Sequence, residues 1–170
     1  MSGANAPLIV TALFERQDQS WFNALRREHF PPEKNVVEAH LTLFHHLPPS
    51  VAEELKHRLS QATRGIRAPR AKVSGLMTLG RGVAYRIEAP ALTAIREDLI
   101  AAFRGMLMPV DAGRWRPHVT IQNKVTPVLA RTLIKALERD FQPREVEIAG
   151  LASWWYRGGP WEAHSRHMFA

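Results

Sequence analysis

Two short segments of the chain place a histidine and a threonine on either side of one apolar residue. They are residues 40–42 (His-Leu-Thr) and residues 118–120 (His-Val-Thr). Because side chains two apart in a β-strand point to the same face, each segment would present an imidazole and a hydroxyl together. Histidine can accept or donate a proton near neutral pH, and hydroxyl groups can hold phosphate oxygens. Two such segments facing each other across a cleft would suit phosphodiester chemistry.

Paired His-x-Thr segments with apolar neighbours, one in each half of a small chain, resemble those of the 2H phosphoesterases. This superfamily includes 2′-5′ RNA ligase-like proteins and cyclic nucleotide phosphodiesterases. The resemblance implies that His40 and His118 are the acid/base pair and that Thr42 and Thr120 bind the substrate phosphate. One neutral imidazole would deprotonate a water or ribose hydroxyl while the other, protonated, donates to the departing oxygen. The residues do not show which histidine is the acid.

A metal site formed by His40, His45, His46 and His118 is a competing interpretation. In a regular strand His45 would point away from His40 and His46, which spoils the geometry of such a site. The two-histidine scheme needs no metal, because hydrogen-bond donors and nearby cations can neutralise the phosphate oxygens. We therefore expect no metal and no cofactor.

Further candidates for substrate binding lie in the same strands, on the faces that carry the two histidines. These are Phe44 and His46 after the first motif, and Gln122 and Lys124 after the second. His46 and Lys124 could add positive charge to a phosphate site, and Gln122 could read a base or sugar edge. The alternative is that they are solvated residues at strand ends.

Arginines and aromatic residues supply a second group of candidates. Arg114 and Arg116 lead into the second motif and could clamp a phosphate, although Pro117 also allows a surface loop there. The aromatic residues 154–156 (Trp-Trp-Tyr) could stack on an RNA base. Packing in the core is the more ordinary role of aromatic residues in a closing hairpin.

Composition restricts the class of protein. A chain of 170 residues, 45% apolar and 23% charged, is typical of one globular domain, and the absence of cysteine excludes disulfides and a cysteine nucleophile. No apolar run is long enough to span a membrane, so we expect no membrane contact and a cytoplasmic location. We also expect a monomer. The net charge of +7 favours a polyanionic partner such as RNA.

The predicted elements follow the order β-α-β-α-β and then β-α-β-α-β-β, with each His-x-Thr strand second in its half. The strands are predicted at about 8–14, 38–46, 72–77, 83–87, 117–125, 145–156 and 161–169. Helices are predicted to begin near Asp18, Ser50, Pro90 and Thr126 from their capping residues and apolar spacing.

This order predicts an α+β fold built from a duplicated β-α-β-α-β unit. We expect one domain over residues 1–170, two-lobed at about 8–78 and 82–169, with strands that the lobes could exchange. A pseudo-twofold axis would place His40 and His118 on opposite walls of a central groove. Two small antiparallel sheets flanked by helices, as the resemblance implies, are favoured over one mixed sheet.

The predicted function is a metal-independent hydrolase that opens RNA-type 2′,3′-cyclic phosphates, or that cleaves or joins 2′-5′ linkages. Its substrate would be RNA or a nucleotide with a phosphodiester. An RNA-binding module with little catalysis and a 2H enzyme for a small cyclic nucleotide metabolite are the alternatives. The physiological substrate and the direction of reaction are not determined by the sequence.

Overall fold

The structure, a computed structural model, describes residues 5–170 and follows the predicted order of elements. Residues 1–4 of the predicted domain lie outside the described part. The strands are β1 (Leu8–Phe14), β2 (Leu41–Leu47), β3 (Arg70–Thr78), β4 (Val83–Glu88), β5 (His118–Gln122), β6 (Arg144–Trp155) and β7 (Glu162–Met168). The helices are α1 (Arg16–His29), α2 (Ala52–Thr63), α3 (Pro90–Ala102), α4 (Pro109–Ala112) and α5 (Pro127–Arg139), of which only the short α4 was not predicted.

The strands form one antiparallel sheet in the order β1-β2-β5-β4-β3-β6-β7. β1 also pairs with β6, so six strands form a closed circuit and β7 extends it beside β6. The predicted α+β class is confirmed. The expectation of two separate sheets is wrong, because β2 pairs with β5 and the long β6 reaches both β1 and β3. A mixed sheet is also wrong, since every strand pair is antiparallel.

A β-bulge follows each His-x-Thr motif. The pairing of β1 with β2 skips Leu43, and the pairing of β4 with β5 skips Ile121. One extra residue reverses the face to which the following side chains point. As a result Leu43 is buried together with Phe44, and Ile121 together with Gln122, instead of alternating with them.

Two buried arginines satisfy the backbone at these bulges. Nε of Arg96 in α3 donates to the carbonyl of Leu43 at 2.8 Å, and Nη1 of Arg26 in α1 donates to the carbonyl of Thr120 at 3.0 Å. A buried carbonyl without a partner would destabilise the fold by about 1–3 kcal/mol. The arginines therefore stabilise the strand distortions that shape the site.

The helices pack around the strands, with α1 against β5, α2 against β6 and β7, and α5 against β3. One hydrophobic cluster includes the apolar residues of both motifs, and Leu41, Leu43, Val119 and Ile121 are fully buried in it. This burial confirms the predicted alternation within the motifs and holds the histidines and threonines on the other face. Among residues 5–170, none of the helices has the length and apolarity that crossing a membrane would require.

Candidate active site

The two motifs lie side by side where β2 meets β5. Leu41 and Val119, the middle residues of the motifs, are antiparallel Cα partners. In this register the histidine of each motif lies opposite the threonine of the other. The four polar side chains therefore line a single pocket of about 130 Å³, here called the motif pocket. Its lining residues are Ile9, His40, Thr42, His45, His118, Thr120 and Trp161.

The two motif histidines are held in the same way. Nδ1 of His40 lies 2.8 Å from the carbonyl of Glu38, and Nδ1 of His118 lies 2.7 Å from the carbonyl of Arg116. A carbonyl oxygen can only accept, so each Nδ1 carries a hydrogen and donates it. Each ring is left with Nε2 as the atom that can take up or release a proton.

The environment of His40 favours its neutral form. Burial lowers the pKa of His40 to about 4. The hydrogen bond to the Glu38 carbonyl raises the pKa, whereas the nearby Arg26, His45 and His118 lower it further. His40 is therefore uncharged at pH 7, and its Nε2 is a hydrogen-bond acceptor there.

A third imidazole, that of His45, also lines the motif pocket. The regular-strand expectation that His45 points away from His40 is wrong, because the bulge at Leu43 reverses the alternation. Nδ1 of His45 lies 3.0 Å from a carboxylate oxygen of Asp111 in α4. Sequence reasoning missed Asp111, because the four-residue α4 is too short to show a periodic pattern.

Asp111 is a buried carboxylate with only 1% of its surface exposed. It accepts hydrogen bonds of 2.9 Å from the backbone N–H groups of both His45 and His46. Burial raises the pKa of Asp111, but these hydrogen bonds and that of the His45 ring hold it below its usual value. The ionised carboxylate thus fixes both the end of β2 and the orientation of the His45 ring.

The four candidate substrate-binding residues that follow the motifs in their strands do not line the motif pocket. Beyond the bulges, His46 and Gln122 turn away, and both Nδ1 of His46 and Oε1 of Gln122 are buried without a hydrogen-bond partner. Phe44 is fully buried in the core. Lys124 is exposed past the end of β5, with a positive φ of 63°.

A large groove of about 670 Å³, here called the tryptophan groove, opens beside His40 and includes Trp154 and Trp161. The Trp161 ring lies edge-on to the His40 ring with centroids 4.6 Å apart, and Trp154 is 6.3 Å from Trp161. Trp155 instead packs against the core and Tyr156 is 42% exposed. Sequence reasoning missed Trp161, because only the pairing of β6 with β7 brings it across to the motif.

A second groove, of about 650 Å³, lies beside His118 and is here called the arginine groove. Arg86, Arg114 and Arg116 contribute to its lining. The sequence indicated Arg114 and Arg116, whereas sequence reasoning missed Arg86. Cα pairing with His118 places it next to the motif.

Metal ligation was the alternative interpretation of the histidines. Within residues 5–170 no three His, Asp or Glu side chains come close enough together to hold a metal ion.

Known proteins resemble this chain in sequence pattern and in fold. The sequence model of the 2′-5′ RNA ligase superfamily matches residues 14–160. The fold is similar to that of TT0787 of Thermus thermophilus, with a TM-score of 0.67, 15% identity and coverage of 96% of this chain and 97% of that chain. It is also similar to E. coli LigT complexed with 3′-AMP, with a TM-score of 0.60, 19% identity and coverage of 98% and 99%. No curated protein sequence matches this chain.

Proposed function

Because the chain belongs to the 2′-5′ RNA ligase superfamily, we propose that it is a phosphodiesterase that opens RNA-type 2′,3′-cyclic phosphates by two-histidine acid/base catalysis. The observation that carries the proposal is the pairing of Leu41 with Val119. It brings two imidazoles and two hydroxyls from distant parts of the chain to one small pocket. The volume of that pocket equals roughly four water molecules, which suits a phosphate group rather than a whole nucleoside.

We assign the base to His40 and the acid to His118. Neutral His40 accepts a proton on Nε2 from a water molecule as the water oxygen forms a bond to phosphorus. The bond from phosphorus to one ribose oxygen breaks, and Nε2 of protonated His118 gives that oxygen its proton. The product is a ribose phosphomonoester with one free hydroxyl. Each positioned proton transfer contributes about 10²–10⁴-fold to the rate.

The same pocket holds the charge of the phosphate. The hydroxyl groups of Thr42 and Thr120 donate to its non-bridging oxygens, whose negative charge persists through the reaction. His45 adds a third imidazole with Nε2 on the pocket side, since Nδ1 donates to Asp111. This set of donors needs no metal ion, so we propose that activity persists in a chelator. We assign no substrate contact to His46, Gln122 or Lys124, which lie outside the pocket.

A nucleotide substrate agrees with what is known of a protein of similar fold. LigT of E. coli has been crystallised with 3′-AMP and with phosphate. In the present chain, the two grooves beside the motif pocket offer room for nucleoside groups. The same residues could also join strands, if a 5′-hydroxyl took the place of the water at His40.

The proposal is tested with RNA oligonucleotides that end in a 2′,3′-cyclic phosphate, incubated with the purified protein in EDTA. Wild type should yield the ring-opened monophosphate, and His40→Ala and His118→Ala should each abolish most of the turnover. His57→Ala, at an exposed position of α2, is the matched control and should be as active as wild type. Absence of turnover by wild type, or turnover by His40→Ala and His118→Ala equal to that of wild type, would contradict the assignment. A 2′-5′-linked dinucleotide, assayed in parallel, tests whether the protein also cleaves 2′-5′ linkages.

A further inference from the structure

We infer that the arginine groove binds the sugar-phosphate backbone of the RNA strand that carries the reacting phosphate. The preferred substrate is then an oligonucleotide rather than a mononucleotide. This inference rests on the proposed function. It adds the class of substrate and the side of the reacting phosphate on which the RNA strand lies.

The arginine groove lies next to His118, the proposed general acid. Arg86 and His118 are antiparallel Cα partners, so their side chains leave the sheet on the same face. Arg116 lies two residues before His118, and its carbonyl accepts the hydrogen bond that holds the His118 ring. A strand whose ribose oxygen leaves at His118 therefore extends directly over these arginines.

The Arg86 side chain passes closely over a glycine of the neighbouring strand. Gly75 of β3 is the Cα partner of Arg86, and a Cβ placed on Gly75 would lie only 3.3 Å from Nη1 of Arg86. The guanidinium therefore lies across β3, over the residue that has no side chain. This arrangement keeps the charge of Arg86 in the groove.

The charged side chains of the arginine groove are all positive. Its lining contains Arg86, Arg114 and Arg116 and no carboxylate. None of the three takes part in an ion pair with any of residues 5–170. Guanidinium groups bind phosphates bidentately, and contacts with several phosphates release counterions from a nucleic acid. Three exposed arginines without acidic partners thus form a site for successive phosphates of one strand.

The groove on the other side of the reacting phosphate differs in its charge. The lining of the tryptophan groove includes two acidic and two basic side chains, from Glu15, Glu38, Arg16 and Arg166. Its aromatic surface suits a base rather than a backbone, because stacking on aromatic rings does not depend on charge. The phosphate-rich strand is therefore held beside His118, and the tryptophan groove remains for a nucleoside that enters beside His40, such as one that supplies a 5′-hydroxyl.

The test compares a mononucleoside 2′,3′-cyclic phosphate with a pentanucleotide that has the same terminal nucleoside and cyclic phosphate. Wild type should have a higher kcat/KM for the pentanucleotide. Arg86→Gln, Arg114→Gln and Arg116→Gln should each reduce that preference about tenfold. Arg139→Gln, at an exposed position at the end of α5, is the control and should leave the preference unchanged.

Binding of the pentanucleotide 3′-phosphate, followed by fluorescence anisotropy against salt concentration, separates this inference from the proposed function. Each groove variant should lower the slope of log affinity against log salt by about 0.7, the value for one lost phosphate contact to a single strand. If wild type turns over neither substrate but binding still depends on the three arginines, the catalytic proposal fails and the groove assignment stands. Equal kcat/KM for both substrates, or groove variants that bind like Arg139→Gln, would overturn the groove assignment.

Discussion

The carboxylate of Asp111 lies 3.0 Å from Nδ1 of His45 and fixes a third imidazole in the wall of the motif pocket. The same carboxylate ties down the backbone of β2 just beyond its bulge. One buried side chain of α4 therefore fixes both the course of β2 and the orientation of the His45 ring.

Replacement of Asp111 by Asn should destabilise the fold by about 1–3 kcal/mol, because an amide cannot accept all the hydrogen bonds that the carboxylate accepts. Urea unfolding of wild type and Asp111→Asn at pH 7 measures the difference. The pKa of Asp111 in the folded protein lies below its ordinary 3.8, so its stabilisation is present above pH 3.8 and is lost as the pH falls through the folded value. The difference in free energy of unfolding between wild type and Asp111→Asn should become smaller below pH 3.8. A difference that becomes larger there would refute this explanation.

Replacement of His45 by Gln should weaken substrate binding more than catalysis. If the imidazole contacts phosphate in both the bound substrate and the transition state, KM for a cyclic-phosphate oligonucleotide should rise while kcat changes little. Steady-state kinetics of His45→Gln and of the exposed control His57→Gln would show this. A large fall in kcat with unchanged KM would instead place His45 in the proton transfers.

The imidazole of His40 should titrate far below the ordinary range of histidine. Its pKa of about 4 arises first from burial, and the Trp161 ring covers it at 4.6 Å. Titration followed by NMR on imidazole resonances should find this value in wild type and a higher one in Trp161→Ala, where water reaches the ring. Because the pKa of His40 is depressed from 6.5, the unfolded chain binds this proton first, and the free energy of unfolding should fall as the pH falls from 6.5 to 4. A wild-type His40 that titrates near 6.5 would remove the basis for assigning it as the neutral base.

Replacement of Arg96 by Met should destabilise the protein by about 2–4 kcal/mol. The guanidinium of Arg96 donates to the carbonyls of Leu43 and Asp111, at 2.8 Å each. In the variant both carbonyl groups would lose a buried hydrogen-bond partner. Arg104→Met, at an exposed position after α3, provides the matched control in the same urea unfolding experiment. Similar stabilities of the two variants would show that the bulge does not depend on Arg96.

Local patterns in the sequence predicted the elements and the motif pair. Alternation around residues 40–42 and 118–120, and caps such as Thr126, are set by neighbours in the chain. The bulges at Leu43 and Ile121 depend on pairing with β1 and β4, which no local pattern reveals, and for this reason the sequence misplaced His45 and His46. Asp111, Trp161 and Arg86 reach the site only through tertiary packing. The internal duplication, the monomeric state and the cytoplasmic location stay predictions.

β2 and β5 are joined by a single residue pair, Leu41 with Val119. Their junction is therefore the weakest between neighbouring strands of the closed circuit. Every other neighbouring pair of strands is joined by several residue pairs. Separating β2 from β5 would therefore break fewer backbone hydrogen bonds than separating any other two neighbouring strands. The two motifs therefore meet at the junction of the closed circuit that has the fewest paired residues, so the side chains and helices around it must hold the two histidines together.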